Sequence, residues 1–341
     1  MDMISFGSVF LELVFGHVHT LPGPGEEIFT EEFAVSCGGA VTCASSAASA
    51  GVQAGLCTVL GDDLGSAVVQ EYCLGQGVDL GTSARVHRSS AGITVVLNFD
   101  GDRAFVTHVP RRPPGEPGEV HRWRSVLRDS RPGWAYLHAR RGVPDFLRDA
   151  RAQGTKTMLD VSLGDDKPRD LVIDCVRLAD LFVPNEAEIQ RLTRTDSTEA
   201  AVAAATAWGT PMVITRGAAG ALVVGPDGVT EVSDGVRDVE VRDLTGAGDT
   251  FAGAMIAALV QGTPLLAAVV AANAAAAGAV GRLGAVGEVE VAGFSSARQA
   301  LGEVLAGTGG GAWRSGDQQA GDAVAAIQAA EQENADMESD Q

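Results

Sequence analysis

Between Asp243 and Met255 the chain reads Asp-Leu-Thr-Gly-Ala-Gly-Asp-Thr-Phe-Ala-Gly-Ala-Met. Three small residues, Gly246, Ala247 and Gly248, and one carboxylate, Asp249, thus stand directly ahead of an apolar run. That run, residues 250–260, has the length and the Ala/Leu/Met content of a helix, so residues 246–249 are expected to form the turn into its N-terminus. A helix start leaves backbone N–H groups unpaired and carries partial positive charge, so it attracts anions. Small residues let a phosphate come close to those amides. A carboxylate in the same turn can take a proton from a hydroxyl. An anion cradle beside a base is what phosphoryl transfer to an alcohol requires. The plainer alternative is that Asp249 caps the helix and the glycines only make the turn.

The elements that would position this stretch follow from the pattern of apolar runs. Residues 4–10 form a short apolar run consistent with a first core strand. A turn-rich interruption follows at 21–28, then an alternating half-exposed strand at 28–35, and Gly38-Gly39 opens a small-residue helix over 40–50. A strand at 56–60, the turn Gly61-Asp62-Asp63-Leu64-Gly65 and a helix through Leu74 come next. Residues 93–99 and 103–108 read as a hairpin about Asp100-Gly101-Asp102. Beyond the Pro/Gly-rich loop 111–118, strand candidates at 134–138, 157–161, 181–183 and 212–215 alternate with helices at 144–153, 186–192 and 198–208. A second hairpin spans 221–232. The βαβα order predicts an α/β fold with a mainly parallel sheet covered on both faces. The packed domain is expected to end near Ala306, followed by a glycine linker at 307–311 and a polar, acidic tail at 312–341 that is disordered or a marginal helix.

Composition narrows the function. The 341 residues are 45% hydrophobic but only 5% aromatic, so helices should pack through small side chains. A formal charge of −19 argues against nucleic acid or an anionic membrane as partner. Lys156 and Lys167 are the only lysines, so an anionic nucleotide would depend on local dipoles, Mg²⁺ and a few arginines. Residues 1–10 lack the basic start of a signal peptide, and the alanine-rich run 265–280 reads as a buried helix, not a membrane span. Five cysteines without Cys-x-x-Cys spacing suit a reducing cytoplasm. His17 and His19 could hold a metal on a strand, but no third ligand accompanies them. Neither a Gly-x-Gly-x-x-Gly after the first strand nor a Gly-x-x-x-x-Gly-Lys-Ser/Thr occurs, so the dinucleotide and Walker alternatives lose their distinguishing feature.

Asp-Leu-Thr-Gly-Ala-Gly-Asp-Thr-Phe resembles the second signature of the PfkB (ribokinase-like) family of carbohydrate and nucleoside kinases, with Leu244 its one departure in this run. The resemblance continues in order along residues 1–306. Gly38-Gly39 is similar to the first signature, and Gly61-Asp62-Asp63-x-Gly65 to the segment after it. Pro184-Asn185-Glu186-Ala187-Glu188 is like the family's Asn-x-x-Glu motif, which orders Mg²⁺ and its waters. Physically, Mg²⁺ needs only one or two carboxylates besides phosphate and water, although Asn185 and Glu188 could equally be a helix cap. Thr215-Arg216-Gly217-Ala218-Ala219-Gly220 resembles the nucleotide-side turn, and Asn273 matches an adenine-pocket position. Gly281-Arg282-Leu283-Gly284-Ala285 resembles the loop that, with Asp243 and Thr245, surrounds a monovalent cation such as K⁺.

The resemblance implies a three-layer α/β/α sandwich with a small β-lid over about 12–36 and 91–108, and a homodimer through that lid. It also implies ATP-dependent phosphorylation of a primary hydroxyl on a sugar or sugar-like molecule, with Asp249 as base and the 246–248 amides as anion hole. The substrate side departs from the family. Phe10 and Glu12 stand where sugar kinases carry Asn-x-Asp, and Cys43 stands where Gly-Gly-x-x-x-Asn is usual. A polyol site discriminates through such polar contacts, so ribose itself is in question. Glu12 could still reach a hydroxyl, and Phe10 could stack on a sugar face or a base. Two alternatives therefore stand beside the sugar kinase: a nucleoside kinase, and a sugar-binding regulator that has lost catalysis.

Overall fold

Strands buried on both faces need nearly continuous apolar sequence, and Met3–Phe6, Ala54–Cys57 and Met212–Thr215 have it. They belong to an eight-stranded sheet. Its order is Gly228–Val232, Ala221–Gly225, Met212–Thr215, Leu181–Phe182, Lys156–Asp160, Trp134–His138, Met3–Phe6, Ala54–Cys57. Pairing is parallel from Met212–Thr215 to Ala54–Cys57, and the remaining two strands extend the sheet as an antiparallel hairpin. The computed structural model describes residues 1–87, 89–99, 102–110, 118–162, 167–226, 228–232, 239–287 and 289. They lie in one unit, Met1–Val291. The domain end expected near Ala306, the linker and the acidic tail fall outside the described residues.

Helices cover both faces of the large sheet, so the three-layer α/β/α expectation holds. On one side Glu119–Ser130, Val143–Gln153 and Arg169–Leu178 bury Trp123, Phe146 and Val176 against Phe6, Leu137 and Leu159. Phe6 packs its ring against Phe146 at 4.9 Å and Trp123 at 6.0 Å. On the other side lie Ala40–Ser49, Ala247–Val260 and Leu265–Val280, which are rich in alanine and pack against one another as the low aromatic content predicts. None of the helices among the described residues is long and apolar enough to cross a membrane.

A separate four-stranded sheet of order Glu32–Gly39, Val9–Gly16, Gly92–Phe99, Asp102–His108 forms the lid. Its register sets Phe10 beside Gly38 and Gly92, Glu12 beside Ser36 and Thr94, and Val14 beside Ala34 and Val96. Because side chains alternate along a strand, these residues share the face turned toward the large domain. Leu13, Phe15, Phe33, Ile93 and Val106 lie on the other face.

Several boundaries differ from the sequence reading. The expected first strand 4–10 is two strands: Met3–Phe6 ends in the large sheet, the chain leaves at Gly7-Ser8, and Val9–Gly16 opens the lid. There the Ser8 carbonyl accepts from the Ala40 amide at 3.0 Å, which turns the chain, and a continuous apolar run does not signal such a bend. The lid therefore starts at Val9, and its second strand runs to Gly39, so Gly38-Gly39 end a strand before the helix begins at Ala40. The strand at 56–60 splits into Ala54–Cys57 and Val59–Leu60. Helices Glu119–Ser130 and Arg169–Leu178 were not expected; the first is strongly charged with only Trp123 and Leu127 buried, and the second breaks its apolar run with charges at both ends and at Asp174.

Candidate active site

The helix after the glycines starts earlier than its apolar run. Gly246 is its N-cap at φ 74°, and Ala247, Gly248 and Asp249 form its first turn. No side chain caps this end, so the alternative role for Asp249 does not hold. Its carboxylate instead turns toward the C-terminal ends of two neighbouring parallel strands, Trp134–His138 and Lys156–Asp160. Ligand sites of parallel sheets lie at such ends. The Tyr136 hydroxyl is 2.7 Å from Asp249 Oδ1 and 2.8 Å from Asp160 Oδ2, so its single proton can serve only one carboxylate at a time. His138 Nε2 lies 3.2 Å from the same hydroxyl and 3.5 Å from Asp249 Oδ1. The Asp249 side chain remains 20% exposed, which leaves it reachable from outside.

Crowded carboxylates give this corner its electrostatics. Burial, with the Asp249 charge adding to it, pushes the Asp160 carboxyl above its ordinary value, against the opposing charge of His138. Burial alone would lower the His138 imidazole. The hydrogen bond to Asp249 and the Asp160 charge outweigh it, so the imidazole holds its proton above the usual range. Glu188 is pushed up to about 8, first by burial and then by Asp160. Asp160 therefore links the Asp249 corner to Glu188. His138, Asp160 and Asp249 each bring one ligand atom within 4.8 Å of the others, and the two carboxylates among them offer the hard oxygens that suit Mg²⁺.

Asn185 and Glu188 also form a capping box: the Glu188 amide donates to Asn185 Oδ1 at 2.9 Å, and the Asn185 amide to Glu188 Oε2 at 2.8 Å. The helix-cap alternative is thus real, yet it engages only one Glu188 oxygen. A β-bridge between Asn185 and Thr215 sets this box beside the nucleotide-side turn. A cavity of about 380 Å³ follows, lined by Thr215, Gly217, Gly220, Ala247, Gly248 and Asn273 among others. Six residues proposed from sequence thus meet in one recess. The Asn273 amide nitrogen is buried in the protein without a hydrogen-bond partner, as a site for an acceptor-edged base would leave it. Arg216 is not among the lining residues. Its guanidinium forks between Glu186 at 3.2 Å and Glu231 at 2.7 Å, which makes it a surface ion pair in this structure.

On the substrate side Gly38 and Gly39 leave room that neighbours use. Glu12 folds over Gly38, where a side chain would collide with its carboxylate, and Phe10 lies over Gly92 and Gly39. Cys43 is fully buried beside Tyr136 and Phe251, so it does not present itself to a ligand. Glu12 is also buried; it accepts from the Ala285 amide at 3.2 Å, and its pKa is raised to about 7 by desolvation first, with Asp243 and Asp249 adding. A carboxyl raised on folding stabilises the fold below its unfolded value near 4.5, and that contribution disappears as pH rises through 7. Glu12→Gln should therefore gain on wild type between about pH 4.5 and 8, by a total on the order of 3 kcal/mol. Urea unfolding of both proteins across that range measures the difference; a constant gap would mean that Glu12 is not desolvated.

Asp243, expected beside a monovalent cation, is buried and accepts from the Thr245 and Gly284 amides, both at 2.8 Å. The Thr245 hydroxyl next to it is buried with no partner. A carboxylate and an uncommitted hydroxyl oxygen fit a small monovalent cation. His17 sits 3.7 Å from Glu32, apart from the site.

Tyr136, His138 and Asp160 were missed in the sequence. Their signal was a polar residue at or near the C-terminal end of each of two predicted core strands.

Known proteins resemble this chain in part of its sequence and in its fold. The family model described as pfkB family carbohydrate kinase matches residues 144–291. A cytidine kinase of Thermococcus kodakarensis is 34% identical over 100 residues, which are 29% of this chain and 36% of that protein, so the match spans about a third of the relative's length. Arabidopsis thaliana ribokinase, solved with ribose and ATP, has a TM-score of 0.68 at 23% identity, covering 88% of this chain and 98% of its own. Aminoimidazole riboside kinase from Salmonella enterica, solved with aminoimidazole riboside and an ATP analog, has a TM-score of 0.67 at 20% identity, covering 84% and 95%. At such identities the likeness of the solved structures is one of fold.

Proposed function

We propose that this ribokinase-like chain of the PfkB family is a kinase that moves the γ-phosphoryl group of ATP to a primary hydroxyl of a sugar or sugar-like molecule. One observation carries the reading. Asp249 stands in the first turn of a helix whose Ala247 and Gly248 line the cavity beside Thr215 and Asn273, and its carboxylate faces the corner of Tyr136, His138 and Asp160, whose charge also acts on Glu188. The acceptor hydroxyl gives its proton to Asp249 as its oxygen bonds to the γ-phosphorus. The bond from that phosphorus to the β–γ bridging oxygen breaks, and ADP leaves with the electron pair. The 246–248 amides meet the charge on the transferring group. Tyr136 holds Asp249 Oδ1, which leaves Oδ2 for the substrate. Mg²⁺, held through Glu188 and Asn185, would supply charge neutralisation on the phosphates. Asp243, Thr245 and the Gly284 loop would hold K⁺, which would supply positive charge near the transferring phosphate.

Nucleoside phosphorylation is the second reading. The cytidine kinase match favours it, as does the Phe10 ring, which offers an aromatic face where a polyol would want polar contacts. A phosphotransfer screen with ribose, fructose, 2-keto-3-deoxygluconate, adenosine and cytidine, with ATP and Mg²⁺, decides between them. Repeating it with K⁺ replaced by a bulky organic cation tests the Asp243 site. ADP formation dependent on one acceptor is expected. A chain that binds such acceptors and never turns over ATP would be a sugar-binding regulator instead.

The outer lid face leaves Phe33 52% and Val106 65% exposed, and it is apolar across several strands. We propose that a second copy covers it. Light scattering should give twice the chain mass, and Val106→Asp should return it to the monomer mass. A monomeric wild type overturns the idea.

A further inference from the structure

Near the far end of the lid one row of residues crosses all four strands on the inward face: Glu32, Gly16, Asn98 and Arg103. The row is notched at Gly16, where any side chain would meet Glu32 at 2.9 Å. Facing it are residues 240–244 and Leu283, and between the two sides lies a cavity of about 380 Å³. Val241 and Leu244 also line the nucleotide-side cavity, whereas Tyr136, His138 and Asp249 do not line this one.

Most polar groups around the cavity already have partners. Glu32 receives Arg242 at 2.7 Å and lies 3.7 Å from His17. Asp243 accepts the two backbone amides described above. Asp102 Oδ1 accepts the Arg103 backbone N–H at 2.8 Å, and Glu240 is exposed at the rim. Two donors are left over. Asn98 is only 6% exposed, and its amide nitrogen has no hydrogen-bond partner. Directly opposite it on the next strand, Arg103 has a buried Nε that likewise has none. The Arg103 guanidinium lies 5.6 Å over the Phe105 ring, and no carboxylate forms an ion pair with it among the described residues. Buried donors are normally satisfied, so two adjacent ones facing a cavity point to an acceptor that arrives from outside. A guanidinium fork matches the paired oxygens of an oxyanion, and a cavity of this size takes a small molecule.

We propose that this cavity is a second ligand site, taking a small molecule through a carboxylate or phosphate group whose oxygens accept from Asn98 and Arg103. The site borders the nucleotide-side cavity at Val241 and Leu244 but excludes Tyr136, His138 and Asp249, and it does not rest on the kinase reading. Its occupant joins the lid to the 240–244 segment, which runs into Gly246, so binding ties lid position to the start of the 247–260 helix.

Calorimetric titration of the whole chain with inorganic phosphate and, separately, with acetate tests this. Wild type should bind at least one of them, and which one it binds separates the phosphate from the carboxylate source. Arg103→Gln should weaken that binding by about ten-fold or more, and Asn98→Ala by a smaller factor. Arg103→Lys keeps the charge but loses the fork, and should fall between wild type and Arg103→Gln; it also serves if Arg103→Gln melts early. Any anion bound at the start of the 247–260 helix is retained in all three variants and subtracts as a common background. Failure of wild type to bind either anion, or equal binding in wild type and the folded variants, overturns the proposal.

Discussion

Asp249→Asn should lower kcat by about 10²–10⁴-fold, the usual contribution of a positioned general base. Asparagine keeps an oxygen that can accept from Tyr136, now 2.7 Å away, so the side chain should stay where it is. What it loses is the ability to take the acceptor's proton. KM for ATP should change little, because in the proposed reaction the carboxylate acts on the hydroxyl, whereas the nucleotide would rest in the cavity lined by Thr215, Gly217, Gly220 and Asn273. The fold should not suffer either. Removing one negative charge beside Asp160 eases a corner in which Asp249 already raises the Asp160 carboxyl. Steady-state kinetics with the acceptor found by the screen, together with a melting curve, provide the test. A well-folded Asp249→Asn enzyme within ten-fold of wild type would place the base elsewhere.

The part of this site that local chemistry encodes was legible in the sequence. Gly246–Asp249 form a helix start because small residues and a carboxylate precede an apolar run, and Asn185 and Glu188 lie three apart because a capping box requires it. The alternation of strands and helices indicated the parallel sheet. Contacts that topology brings about were not legible. Tyr136, His138 and Asp160 are separated from Asp249 by about a hundred residues, and they meet it only because strands Trp134–His138 and Lys156–Asp160 are neighbours under the 247–260 helix. Arg216, in the turn that resembles the nucleotide side, looked uncommitted because nothing local shows that Glu186 and Glu231 flank it in space. Cys43 occupied a family position for a polar contact, but the Ala40–Ser49 helix turns it into the core. Strand ends escaped for the same reason. The bend at Gly7-Ser8 is imposed by the neighbouring Ala40 amide, a partner the run of apolar residues does not reveal.

Gly246→Ala and Gly248→Ala should separate the architecture of the anion hole from its chemistry. At Gly246 the backbone is left-handed, φ 74°, and a methyl group would lie 2.6–2.8 Å from the Cβ, Cα and carbonyl oxygen of Ala285. The left-handed conformation costs an L-residue about 1–2 kcal/mol, and overpacking against backbone adds about 1–3 kcal/mol. Relief requires the 246 turn and the 284–285 loop to part. That loop donates to Asp243 from Gly284 and to Glu12 from Ala285, so the displacement reaches the buried Asp243 carboxylate and the lid together. A shift of about 1 Å in groups that position a reacting phosphate lowers the rate by roughly 10²-fold. Gly246→Ala should therefore lose both melting temperature and kcat. Gly248 is different: it is inside the helix, has no positive φ, and a methyl there meets nothing within 4 Å. Alanine in a helix is favoured over glycine by about 1 kcal/mol, so Gly248→Ala should melt slightly higher. Its methyl nevertheless projects at a residue that lines the nucleotide-side cavity and holds phosphate away from the first-turn amides, so KM for ATP should rise. Melting curves and ATP titrations of the two variants should move in opposite senses for stability while both lose activity. If Gly248→Ala leaves ATP use untouched, the amides of this turn do not face the transferring phosphate.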